Sequence, residues 1–276
     1  MVNGLHRPIC YVQLLRRNKA VIHETAIIDD SAVIASDVQI GPYTIVGADV
    51  TIGPGSVIGP HVVLKGPTQI GRDNRIFQFA SIGEDPQDLK YHGERSRLVI
   101  GDRNTIRESV TMHRGTEQDN SLTKIGDDNL FMAYVHVAHD CIIGNNIILA
   151  NNATLAGHVV VEDYAILGGF TAVHQFTRLG THCFTGFATA LDRDVLPYFT
   201  VAGNRARARG VNKEGLVRKG FKPETVRALQ DTFKILVKSK GSLQEKLERV
   251  SELALMHIEV RSVIDFLNNS ERGWTR

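Results

Sequence analysis

The chain has 276 residues, enough for one large buried core or two smaller ones, and a formal net charge of +2 at pH 7. So balanced a charge excludes the strongly basic field of a nucleic-acid binder. Three cysteines, Cys10, Cys141 and Cys183, lack C-x-x-C spacing, which excludes a disulfide framework or zinc knuckle and fits a reducing, cytoplasmic compartment.

In residues 1–20 a short apolar run, Ile9 to Leu15, is followed rather than preceded by Arg16, Arg17 and Lys19. That order is unlike a secretory signal, and the segment is expected to be a tail. No stretch reaches the roughly eighteen apolar residues of a membrane span. From Ile22 onward aliphatic residues recur every six positions, at Ile28, Ile34, Ile40, Val46, Ile52, Ile58, Leu64, Ile70, Ile76 and Ile82. Glycine often follows them, as at Gly41, Gly47, Gly53 and Gly59. A period of six is neither helical nor plain strand alternation. It is the pattern of a hexapeptide β-helix, in which each hexad supplies a short strand and a corner. Small residues are expected where a side chain would crowd the corner or φ must be positive. Resemblance to known hexapeptide proteins implies three hexads per coil and a left-handed solenoid, so that residues 18 apart stack.

The phase lapses from Glu84 to Leu98 and resumes in register at Ile100, Ile106 and Met112. A second interruption, Arg114 to Ser121, shifts the phase by one. The repeat returns at Ile125, Phe131, Val137, Ile143, Leu149, Leu155, Val161, Leu167, Val173 and Leu179, with Thr185 a weak member and Leu191 the last. The expected organisation is a β-helix over 21–202, with loop insertions near 84–98 and 114–122, then a helical domain over 203–276. In that domain Pro223 opens a helix with Val226, Leu229, Phe233 and Leu236 on its apolar face. Ser242 and Glu245 form a capping box ahead of Leu243, Leu247, Val250 and Ala254, and Val260, Val263 and Leu267 mark a further helix. These helices can cap the open end of the solenoid.

Histidines gather where the repeat needs only aliphatic and small residues, at His136, His139, His158, His174 and His182. His139, Gly157 and Gln175 are each 18 apart and should form one column, with His158 and His174 beside it. That column suits acyl transfer. An imidazole titrating near neutrality can take the proton of an attacking hydroxyl, and Asp140 can orient it and stabilise its cation. The backbone N–H of Gly157 can meet the developing oxyanion. A second reading places zinc on His136, His139 and His158, as in the hexapeptide carbonic anhydrases, and makes the protein a hydratase. A third is a non-catalytic scaffold. Two segments favour a large anionic substrate. The first interruption carries Gln87, Asp88 and Lys90, and Arg205, Arg207, Arg209, Arg218 and Lys219 suit phosphate recognition and attraction of an acidic protein. The histidine face is expected to be apolar around Val135 and Val137, and so to be covered by a second copy.

The ordered motifs PQDLKYHGE, HVAHDC, ANNATLAGHV, TAVHQF and GVNKEGLVRKG resemble those of the UDP-N-acetylglucosamine 3-O-acyltransferases, which open lipid A synthesis. The resemblance covers residues 20–276. It implies a homotrimer with clefts between solenoids, a 3-hydroxyacyl group on acyl carrier protein as donor, and no cofactor or metal. His139 corresponds to the catalytic base, Asp140 to its neighbour and Gly157 to the oxyanion glycine. Gln87, Asp88 and Lys90 match sugar-nucleotide contacts; His158 and Gln175 line the sugar and acyl cleft, with His174 beside them. Asn212, Glu214 and Arg218 match the uridine and phosphate end. Lys219 stands where the family usually has a second arginine, which keeps the charge but loses the bidentate fork. Phe187 lies near the end of the family's acyl groove, where a bulky ring should shorten the accepted chain. A sister N-acyltransferase carries an extra N-terminal globular domain that twenty residues cannot supply.

Overall fold

The computed structural model describes residues 21–276, and the expected tail, with Cys10, lies outside them. The hexads fold as expected into a left-handed parallel β-helix. Strands mostly of two residues, such as Val21–Ile22, Ile27–Ile28 and Val33–Ile34, lie in turn on three sheets of eleven, nine and eight strands. Pairing is parallel and in register, with Ile22 on Ile40, Ile40 on Ile58 and Val137 on Leu155. In the two-residue strands the second residue points inward, so the stacked aliphatics from Ile40 to Leu191 form one continuous buried core. Thr185 keeps this register although polar. It is fully buried, and its hydroxyl pairs with that of Thr171 at 2.7 Å and accepts the Gly168 N–H at 3.0 Å.

The corners divide two jobs between two residue types. Three positions after the inward residue the backbone turns left-handed, and the residue there is rarely glycine: Tyr43, His61, Phe79, Asp140, His158 and Phe176 all have φ between 54° and 64°. The glycines directly after the inward residue are there for space. A Cβ on Gly41 would lie 2.7 Å from the Pro60 nitrogen, and one on Gly53 would lie 2.7 Å from the Gly71 carbonyl carbon. Crowding, rather than positive φ, therefore selects glycine at these two positions.

Both interruptions leave the stack intact. Ile70 pairs with Ile100 across the first and Ile100 with Ile125 across the second. A buried amide ladder also crosses both: the side-chain oxygen of Asn74 accepts the Asn104 N–H at 2.9 Å, and that of Asn104 accepts the Asn129 N–H at 3.0 Å.

Past the last coil, Phe199–Ala202 joins the eleven-stranded sheet and pairs antiparallel with Arg207–Val211. The expected boundary at 202/203 falls inside this hairpin. Four helices follow: α1 (Lys213–Arg218), α2 (Pro223–Phe233, continued by a π turn at Lys234–Lys238), α3 (Leu243–Ala254) and α4 (Ile258–Asn268). The Ser242–Glu245 capping box is present with both bonds made. Val226, Leu229, Phe233 and Leu236 pack toward the end of the solenoid, where Phe233 meets Phe199 edge-on at 5.3 Å. Among the described residues no helix is long and apolar enough to cross a membrane.

One expectation fails. Val135 and Val137 are fully buried inside the coil, because both occupy inward positions of the repeat. They do not pave the outer face. A row of exposed aromatic side chains, Tyr43, Phe79, Tyr134, Phe170 and Phe187, instead lines the corner where the eleven-stranded sheet hands over to the nine-stranded one.

Candidate active site

His139 and Asp140 follow the strand His136–Val137 at the corner between the nine- and eight-stranded sheets. The left-handed turn at Asp140 (φ 58°) sends its carboxylate inward while His139 stays on the rim. His139 Nδ1 lies 2.8 Å from Asp140 Oδ2. Asp140 is 3% exposed and held from two sides: it accepts the Thr116 N–H at 2.8 Å and the Thr116 hydroxyl at 2.7 Å. Its own N–H donates to the Thr123 hydroxyl at 2.8 Å. Burial alone would raise the Asp140 carboxyl, but the bonds from His139 and Thr116 outweigh it and hold the group below the usual carboxylate range. With Asp140 ionised, Nδ1 of His139 carries the proton and Nε2 offers its lone pair to the cleft.

One coil on, Gly157 stacks directly over His139, as the spacing predicts. A Cβ there would sit 2.5 Å from the imidazole Cε1 and 2.8 Å from Nε2, so only glycine admits the ring. The Gly157 N–H donates to no acceptor among the described residues. His158 crosses His139 edge-on at 5.2 Å and stacks on Phe176 at 4.4 Å. Its Nδ1 lies 3.0 Å from Asp119 Oδ2.

These residues wall a cleft of about 780 Å³. The first interruption supplies Gln87, Asp88, Leu89 and Lys90, the second Gln118 and Asp119, and the corner His139, His158, Gln175 and Phe176. Asp88 Oδ2 faces His139 Nε2 across 4.0 Å. His174 is exposed beside the cleft, its Nδ1 3.1 Å from the carbonyl of Gln175.

The zinc reading does not survive this geometry. His136 projects from a strand rather than the corner, and its Nδ1 lies 2.7 Å from the Thr111 hydroxyl. Burial keeps its imidazole below its ordinary range, and pushes its neighbour His113 down to about 4. The three imidazoles do not converge: the ligand-type atoms that come together are those of His139, Asp140 and His158, of which the first two are already engaged with each other and the third with Asp119.

The other expected contacts stand elsewhere. Asn212 caps α1: its side chain accepts the Gly215 N–H at 3.2 Å and donates to the His182 carbonyl at 3.0 Å. Glu214 and Arg218 lie exposed on α1, 3.7 Å apart. Lys219 rests 4.7 Å over the Tyr164 ring, beside His182, whose imidazole burial and that ammonium push down to about 4. Tyr164 and His182 turn the corner between the eight- and eleven-stranded sheets, a different edge of the prism from His139. Phe187 stands at the remaining edge, 74% exposed and edge-on to Phe170 at 5.5 Å. Cys141 and Cys183 are buried and free, and burial pushes the Cys141 thiol up to about 12, so neither serves as a nucleophile. Sequence reasoning missed Thr116, Thr123 and Asp119, which hold Asp140 and His158. For Thr116 and Asp119 the one signal was the polar interruption that opens two residues after the inward Met112.

A prism of hexapeptide coils that presents a carboxylate-held imidazole to a cleft of polar loops defines a hexapeptide transferase. Residues 19–54 and 122–157 match the bacterial transferase hexapeptide repeat, and residues 194–275 match domain 2 of UDP-N-acetylglucosamine O-acyltransferase. An acyl-[acyl-carrier-protein]–UDP-N-acetylglucosamine O-acyltransferase of Stutzerimonas stutzeri is 53% identical over 93% of this chain and 100% of its own. The UDP-N-acetylglucosamine O-acyltransferase of Moraxella catarrhalis superposes with a TM-score of 0.90 at 46% identity, covering 92% of this chain and 99% of that one. The UDP-N-acetylglucosamine acyltransferase of Francisella novicida gives 0.90 at 41% identity, covering 93% and 94%. The chain belongs to the UDP-N-acetylglucosamine O-acyltransferase family.

Proposed function

We infer that this protein transfers a 3-hydroxyacyl group from acyl carrier protein to the 3-hydroxyl of UDP-N-acetylglucosamine, the first step of lipid A synthesis, and that it does so in the cytoplasm. The observation that carries the reading is the His139–Asp140 pair with Nε2 open to a cleft walled by Asp88 and Lys90. His139 Nε2 takes the proton of the sugar hydroxyl as its oxygen attacks the thioester carbonyl. Asp140 stabilises the imidazolium, and the Gly157 N–H receives the oxyanion. Collapse of the tetrahedral intermediate breaks the carbon–sulfur bond, and His139 returns the proton to the departing thiolate. No cofactor or metal enters these steps. Exposed Arg207 and Arg209 support attraction of an acidic carrier protein. Incubation with UDP-N-acetylglucosamine and a panel of acyl carrier protein thioesters, with the product identified by mass, tests the reading; absence of an O-acylated sugar nucleotide overturns it.

The working unit is a homotrimer. His139 and α1 occupy different edges of one prism, so Asn212, Glu214, Arg218 and Lys219 can meet a nucleotide held at His139 only if a neighbouring copy brings them. Leu89, fully exposed at the loop tip, and the aromatic edge from Tyr43 to Phe170 supply apolar surface for such a neighbour. Light scattering is expected to return three times the 30.5 kDa chain mass; a monomeric mass at working concentration refutes this.

The acyl chain lies along the outer face of the nine-stranded sheet. Thr154, Ala172 and Ala190 pave that face between the His139 edge and Phe187. Each methylene accommodated adds about 0.8 kcal/mol of burial, while one that collides with the ring costs strain. Phe187→Gly is therefore expected to shift the kcat/KM ratio toward longer thioesters by several carbons. An unchanged ratio places the end of the groove at another residue.

A further inference from the structure

The two interruptions of the repeat meet at one residue. Arg114 opens the second, yet its side chain is buried, 6% exposed, at the root of the first. Its backbone N–H donates to the Glu84 carbonyl at 3.1 Å. One guanidinium nitrogen, Nη1, donates to the Gly83 carbonyl at 2.5 Å, and the other, Nη2, donates to the Tyr91 hydroxyl at 3.0 Å and pairs with Asp85. Tyr91 in turn donates to Asp85 Oδ1 at 3.3 Å. Asp85 and Tyr91 bracket residues 86–90, and inside that bracket stand Gln87, Asp88 and Lys90 on the cleft wall. Within it Asp88 uses Oδ1 to accept the Lys90 N–H at 3.0 Å and keeps Oδ2 facing His139.

We propose that Arg114 is a positioning residue: it grips both ends of segment 86–90 and so orders Gln87, Asp88 and Lys90 before the sugar nucleotide arrives. The proposal rests on the reading of the cleft as the sugar-nucleotide site. A planar guanidinium has donors in fixed directions and holds a carbonyl, a carboxylate and a phenol together, whereas an ammonium is a point charge on a flexible stem. Ordering the loop in advance removes that entropy cost from binding. The His139–Asp140 pair has its own supports in Thr116 and Thr123, so the loss falls on acceptor binding rather than on the chemical step.

Arg114→Lys and Tyr91→Phe are compared with the wild type by varying UDP-N-acetylglucosamine and the acyl donor separately. Arg114→Lys is expected to raise the acceptor KM about tenfold or more, with kcat within about threefold and the donor KM unchanged. Tyr91→Phe, which removes one of the two grips and leaves the buried arginine in place, shifts the acceptor KM in the same direction by less. Hydrogen exchange without substrate is expected to speed up over residues 86–91 in Arg114→Lys and not in the coils. An unchanged acceptor KM overturns the proposal, as does a joint fall in kcat and melting temperature with no selective change in KM. If the wild type leaves UDP-N-acetylglucosamine untouched, the substrate reading has failed; the exchange measurement still decides whether Arg114 orders the loop.

Discussion

His139→Ala is expected to slow turnover by ~10²–10⁴-fold, the usual range for a lost general base. Among the described residues the imidazole is the one group whose proton-accepting nitrogen faces both the cleft and Asp88, with its other nitrogen fixed on a buried carboxylate. Removing it also strands Asp140, although Thr116 continues to satisfy that carboxylate with two bonds. The coil should stand, because its ladder runs through backbone groups: the His139 carbonyl accepts the His158 N–H at 3.1 Å whatever the side chain. The check is turnover measured beside a melting curve. Near-normal turnover in a folded variant removes His139 from the mechanism.

A single methyl group at Gly157 should do almost as much damage. Its backbone does not need positive φ, so alanine fits the chain, but the Cβ would meet His139 Cε1 at 2.5 Å and drive the ring off its position. A displacement of about 1 Å at a reacting group can cost ~10²-fold, and that is the expected fall in kcat for Gly157→Ala. Stability should hold much better than in Gly53→Ala, where the added carbon meets backbone of the next coil at 2.7 Å rather than a side chain that can swing. A Gly157→Ala protein that melts early but turns over normally would show the glycine to be structural.

The solenoid was legible because its period is enforced by a physical demand repeated at every turn: an aliphatic residue must enter the core at each strand. Even Thr185 could be placed from its neighbours' spacing. The column of His139, Gly157 and Gln175 followed from the same count. Other features obey no period. Helix α1 is six residues long, too short for an apolar face to repeat, and the strand Arg207–Val211 shows in the sequence only as basic residues, because its pairing partner, not its composition, makes it a strand. The repeat itself turns Val137 inward, and alternation along the strand sends Val135 the same way and His136 to the outside, so an apolar outer face around these valines conflicts with the period. Arg114 stayed hidden since its partners at residues 83–91 are remote in sequence and join it only after the coils have stacked.

The amide ladder from Asn74 to Asn129 runs across both insertions without a break, and this bears on how such an enzyme can change its substrate. A segment that departs from a corner and returns to the same column leaves the core unaware of its length. Doubling a loop of this kind costs only about 0.6 kcal/mol in closure entropy, a small part of a domain's stability. Lengthening, trimming or exchanging the residues that lie between the strands Ser81–Glu84 and Arg97–Ile100 therefore costs the coils little, so long as the two ends meet where they do now. Selectivity for the sugar can drift while the imidazole and its carboxylate stay fixed, and lineages that diverge in acceptor should differ here first in length, not in the coils beneath.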